Sequence, residues 1–282
     1  MTAGGSSGGE GALVAFRGSI LGVGTDIAGS IRIPSLCCGV YGFKPTIDRI
    51  PFGGQVSGAM EGIPGLKPAA GPLAHSVADL QLFMKSIVGA GEAWKYDHTV
   101  ISAPWYDHPF ATEGRDGSLR VGILCEDESF PLHPPVQRTL NHAVEALNRV
   151  GHSIVYIDNK NKEELSVAYA NRLAFQYVSY GPHQDHIAAS GEPLVNSVAK
   201  FASPMFSGPW PVDQELETFQ KIQELHMARQ KVSDAWRQKW VDLGLDVILA
   251  PGSQCTAVAY DTYGWPPYTM LWNLLDVGLC GL

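Results

Sequence analysis

Gly22-Val23-Gly24-Thr25-Asp26-Ile27-Ala28-Gly29-Ser30-Ile31-Arg32 is the stretch on which the reading turns. It opens as a short apolar, glycine-punctuated run, Ile20 to Thr25, of the kind a buried strand presents. Asp26-Ile27-Ala28-Gly29 then turns the chain, and a helix is expected from Ser30 to Cys37. A tight turn of small residues entering a helix leaves backbone N–H groups unpaired and aimed at one spot. Ser30 would set a hydroxyl beside those donors. A serine hydroxyl attacks poorly until a base takes its proton, and the tetrahedral intermediate then needs donors for its oxyanion.

Outward from this stretch, residues 1–54 hold thirteen of the 31 glycines, which implies close backbone approach rather than a linker. Apolar runs such as Ala12-Leu13-Val14-Ala15-Phe16 alternate with them, as packed structure requires. Ser7-Gly8-Gly9-Glu10 fits a capping box opening a helix over 10–17. Residues 39–46 read as strand and turn, and 47–75 as a Pro/Gly-rich loop. Ser76 is expected to cap a helix over 77–88 that turns Val77, Leu80, Leu82, Phe83 and Ile87 inward. A strand at 119–124, a helix at 135–150 and a strand at 153–157 make a βαβ-like unit. Helices are expected at 162–180 and 213–243, and a buried strand at 246–250.

The chain has 282 residues, 45% hydrophobic and 17% charged, which suits a well-buried globular enzyme. Its formal charge of −8 argues against an electrostatic nucleic-acid surface, which needs clustered Lys and Arg. No signal peptide and no apolar run of membrane-spanning length are read, and the five cysteines lack a disulfide framework. A cytoplasmic setting with reduced thiols is expected. Cys37-Cys38 reads as a pair of small buried hydrophobes.

Three blocks carry a resemblance: Gly4-Gly5-Ser6-Ser7-Gly8-Gly9-Glu10-Gly11-Ala12, the Gly22–Arg32 stretch, and Gly42-Phe43-Lys44-Pro45-Thr46. Together they resemble the amidase signature family, the surrounding sequence being most similar to its fungal acetamidase-like branch. Gly71-Pro72-Leu73-Ala74, the 119–157 unit, Val247-Ile248-Leu249-Ala250-Pro251 and Trp272-Asn273-Leu274-Leu275-Asp276 extend the likeness, which fades over Val277–Leu282. The resemblance implies an α/β fold with a mixed β-sheet core surrounded by helices. It makes residues 1–282 one partial amidase domain with its catalytic core in 1–54.

The resemblance further implies amide hydrolysis through an acyl-serine intermediate. Ser30 matches the nucleophile, and Ser6 matches a relay serine held by a cis peptide bond. The N–H groups of Ile27, Ala28, Gly29 and Ser30 match the oxyanion hole, with Ala28 standing for a common glycine. In the family a neutral lysine lies well ahead of the glycine-serine run, and no lysine here precedes Ser6. The expectation is therefore of a fragment cut at both ends, with impaired turnover and uncovered apolar surface. Lys44 matches a structural Lys-Pro turn and is a weak substitute base. No cofactor and no metal are expected, and the spacing of His183 and His186 alone does not make a metal site. The expected partners are a small-molecule amide and at most a second copy of the chain.

Competing readings remain at this stage. Gly4-Gly5-Ser6-Ser7-Gly8 formally fits the G-x-S-x-G elbow of a Ser-His-Asp hydrolase using Ser6, but that elbow needs a strand just before the serine. A non-enzyme, either a dead remnant or a glycine-loop anion binder, is the other. Ser7 reads as a cap more readily than as a catalytic group. Asp26 and Arg32 read as an internal ion pair bracing the turn more readily than as substrate ligands.

Overall fold

A computed structural model describes residues 1–55, 65–106, 117–160, 162–179, 187–193, 196, 210–262 and 266–281. Helix α1 (Gly8–Ala15) leads into strand β1 (Leu21–Asp26). Helix α2 (Arg32–Cys38) follows, stopped by Gly39 in the left-handed region, and then β2 (Tyr41–Lys44). Strand β3 (Ala69–Ala74) falls in the span expected to be loop. It lies between β1 and β2 in an antiparallel sheet completed by β7 (Leu279–Gly281) beside β2.

Gly71 and Pro72 hid β3, because a proline in a central strand forfeits a ladder hydrogen bond. The register removes the conflict. β2 pairs with β3 only at Tyr41–Ala74 and Gly42–Leu73, so Pro72 lies past the end of that ladder. All six residues of β3 are buried. A Cβ on Gly71 would run into the backbone carbonyl of Phe43, which fixes glycine there. Gly71→Ala is accordingly expected to destabilise the fold by about 1–3 kcal/mol, the usual cost of overpacking. Chemical denaturation checks this, and an unchanged midpoint would refute the close approach.

Among the described residues β1 is an edge strand, and unpaired edges demand partners for their N–H and C=O groups. Helix α1 supplies them. The Ser7 hydroxyl accepts from the Thr25 N–H at 3.2 Å and reaches the Thr25 carbonyl at 3.4 Å. Glu10 Oε1 accepts from the Val23 N–H at 3.2 Å. The expected capping box is therefore not formed, and Ser7 sits at the N-cap without a side-chain bond to its own helix. Both side chains serve the neighbouring strand instead. A Cβ on Gly22 would strike Glu10 and one on Gly24 would strike Ser7, so the two glycines admit this contact.

The second sheet is parallel, with β4 (Arg120–Leu124) between β5 (Ser153–Ile157) and β6 (Val247–Leu249). The βαβ expectation holds, with α4 spanning Pro134–Arg149. The mixed strand set is thus divided between an antiparallel and a parallel sheet.

Helix α3 (Val77–Val88) carries the expected cap, Ser76 Oγ accepting from the Asp79 N–H at 3.1 Å. Its buried face differs from expectation. Leu80, Met84 and Val88 form an i, i+4 row in the core, Phe83 and Ile87 flank it, and Val77 and Leu82 stand exposed. The helix expected at 162–180 is a short 3₁₀ turn (Glu163–Leu165) and then α5 (Val167–Val178), capped by Ser166. Long helix α6 (Thr218–Leu243) and helix α7 (Pro267–Leu275) complete the main core, where Trp236 meets Trp272 edge-on.

Cys37, Cys38, Cys125 and Cys255 are free thiols, and the first two are half-buried rather than fully enclosed. Among the described residues, no helix is long and apolar enough to cross a membrane.

Candidate active site

The turn at 26–32 is built around Asp26, whose side chain is fully buried. Its carboxylate accepts from the N–H groups of Gly29 (2.8 Å) and Ile31 (3.1 Å), wrapping the chain around it. Arg32 meets it side-on, with Nη2 at 2.8 Å from Oδ1 and Nε at 3.0 Å from Oδ2. The pair is the internal brace expected from sequence. Burial pushes the Asp26 carboxyl up, but the Arg32 charge and the bonds from Arg32, Asn273 and the Ile31 N–H outweigh it. The net shift is below the usual aspartate value.

Helix α7 holds the turn from the far side. Arg32 Nη1 donates to the Thr269 carbonyl at 2.9 Å, and Nη2 also donates to Asn273 Oδ1. Asn273 Nδ2 donates to Asp26 Oδ1 at 3.0 Å, and the Thr269 hydroxyl donates to the Ala28 carbonyl at 2.6 Å. Sequence reasoning missed Thr269 and Asn273 as parts of the site. Asn273 was visible only as part of a likeness, because nothing local ties it to a turn more than 240 residues upstream.

Ser30 is half-buried, two residues ahead of α2, with the Ile33 N–H already bonding back to the Gly29 carbonyl at 2.7 Å. Ser6 is exposed and follows a cis Gly5–Ser6 peptide bond, as the resemblance implies. The two segments are joined directly: the Ser7 N–H donates to the Ser30 carbonyl at 3.2 Å. Gly4, with positive φ, lies against Ile33 and Cys37 of α2, where a Cβ would come within 2.9 Å of the Ile33 side chain. The glycine loop bearing Ser6 therefore rests on the helix that Ser30 introduces. No strand leads into Ser6, which removes the support a G-x-S-x-G elbow needs.

The four expected oxyanion donors separate into two groups. The N–H of Gly29 is committed to Asp26. Among the described residues, the N–H groups of Ile27, Ala28 and Ser30 have no protein acceptor.

The chain matches the Amidase family model over residues 1–280. It belongs to the amidase family. This amidase-family chain is 36% identical over 279 residues to an amidase of Gibberella moniliformis, covering 98% of this chain and 50% of that protein. It is 32% identical to an acetamidase of Emericella nidulans, covering 97% of this chain and 49% of that protein. Among solved structures, a fatty acid amide hydrolase superposes with a TM-score of 0.85 at 32% identity, covering 99% of this chain and 47% of that one. The chain thus spans about half the length of the curated relatives it matches. The family match also extends to residue 280, into the Val277–Leu282 segment where the likeness was expected to fade.

Lys44 is almost wholly buried, its ammonium donating to the Pro45 carbonyl at 2.8 Å and lying 3.7 Å from Asp276 Oδ1. Burial lowers its pKa against the opposing pull of Asp276. It braces the end of β2 against the C-terminal end of α7, the structural role the resemblance gives it. His183 and His186 lie outside the described residues, among which no cluster of His, Cys, Asp and Glu is suited to a metal.

Proposed function

We propose that this chain hydrolyses small-molecule carboxylic amides, with Ser30 as nucleophile and Ser6 as proton relay. The observation that carries the reading is the Ser7 N–H to Ser30 carbonyl bond, which docks the relay loop on the nucleophile's own backbone. Ser30 Oγ attacks the amide carbon and passes its proton toward Ser6. The N–H groups of Ile27, Ala28 and Ser30 receive the oxyanion. Collapse breaks the C–N bond, the departing nitrogen takes the proton back through Ser6, and the acyl group stays on Ser30. Water then attacks the ester, releasing the acid and restoring the hydroxyl.

In the mechanism that the resemblance implies, a neutral lysine accepts the proton from Ser6. Lys44 is not proposed for this task, since its ammonium is engaged at Pro45 and Asp276. Family membership and the fungal amidase and acetamidase relatives support the reaction class.

A fluorophosphonate probe followed by peptide mass mapping tests the reading. The adduct is expected on Ser30. An adduct on Ser6 would revive the Ser-His-Asp alternative, and no adduct at either serine would favour a non-enzyme.

A further inference from the structure

The Ala28–Gly29 peptide is gripped at both faces. Its carbonyl accepts the Thr269 hydroxyl at 2.6 Å, and its N–H donates to Asp26 Oδ1 at 2.8 Å. Gly29 has φ of +129°, a backbone region that only glycine enters freely. Packing adds a second reason for glycine, because a Cβ there would collide with Thr269 and with Ile33. A peptide beside such a glycine rotates easily unless something holds it. Rotation would withdraw the Gly29 N–H from Asp26 and turn the Ala28 carbonyl away from Thr269, in a turn where the adjacent Ala28 and Ser30 N–H groups stand unpaired.

A carbonyl among those donors would oppose a developing oxyanion, since catalysis there depends on donors already aimed before charge appears. We infer that Thr269 is a positioning residue for the proposed hydrolysis. Its hydroxyl locks the Ala28–Gly29 peptide with the acceptor turned away from the oxyanion and the neighbouring donors turned toward it. The inference rests on the reading of Ser30 as nucleophile, but the clamp itself is a statement about one peptide. Thr269 has a second acceptor in the Pro266 carbonyl at 3.2 Å. A hydroxyl has one proton to give, and the shorter contact to Ala28 claims it.

Thr269→Val removes the hydroxyl and keeps the branched shape, while Thr269→Ser keeps the hydroxyl. With Thr269→Val, the rate of Ser30 phosphonylation is expected to fall about tenfold or more, toward the loss seen when an oxyanion contact is removed. Amide turnover should fall in kcat with little change in KM. Thr269→Ser should restore most of the rate. Hydrogen exchange of the peptide covering residues 27–31 should quicken in Thr269→Val and not in Thr269→Ser, with both variants melting as cooperative folds.

Equal phosphonylation and equal exchange in the two variants would overturn the inference. If wild-type Ser30 takes no probe, the reading of the nucleophile fails. The exchange comparison then still decides whether Thr269 clamps the turn.

Discussion

Ser30→Ala is expected to abolish fluorophosphonate labelling and to cut amide turnover by roughly 10⁴-fold or more, the scale of loss when a nucleophile acting within a unit is removed. The fold should survive. Ser30 is half-buried, and the structural bond it makes comes from its carbonyl, which alanine retains. A cooperative melt near the wild-type temperature would therefore accompany the loss. Ser6→Ala should be milder, in the range of about 10²–10⁴-fold for a lost proton-transfer group. Ser6 is exposed, so its removal costs little packing. Turnover persisting in Ser30→Ala and lost in Ser6→Ala would reverse the assigned roles.

Asp26→Ala is expected to have the largest effect on stability. It leaves the Arg32 guanidinium buried without its carboxylate and orphans the N–H groups of Gly29 and Ile31. Breaking a buried ion pair from one side costs about 3–5 kcal/mol. That is a large share of a domain's total of about 5–15 kcal/mol. The same carboxylate sets a pH dependence. Its folded pKa lies below the ordinary aspartate value of 3.8, so the stabilisation is present above that pH and is lost as pH falls below it. Melting temperatures between pH 6 and pH 2 check the point. Wild type should lose stability more steeply than Asp26→Ala below about pH 4. Parallel curves would show that Asp26 is not the group responsible.

Features set by near neighbours were readable from the sequence. The Ser76 cap, the β4–α4–β5 unit and the strand before Asp26 each follow from residues a few positions apart. The Asp26–Arg32 pair is local as well. Features set by distant partners were not readable. Ser7 and Glu10 have the form of a capping box, yet β1 offers edge groups that win both side chains. Gly71-Pro72 has the composition of a turn, and only the staggered end of β2 lets it stand in a central strand. The inward face of α3 moved because Met84 and Val88 continue the row from Leu80, a choice that depends on what packs opposite. In the site, Thr269 and Asn273 act on residues far upstream, and no spacing rule reaches that far. The commitment of the Gly29 N–H to Asp26 was hidden for a simpler reason: sequence lists donors but not the directions in which they point.

The bonds from α7 to the 26–32 turn also set an order of events during synthesis. Arg32 leaves the ribosome 237 residues before Thr269, and Asp26 leaves it 247 residues before Asn273. Over that interval the nascent polypeptide holds a charged turn that lacks the groups meant to enclose it. The turn is therefore enclosed only once Thr269 and Asn273 are out, and a chain cut short of Thr269 would carry its glycine loops made but unset.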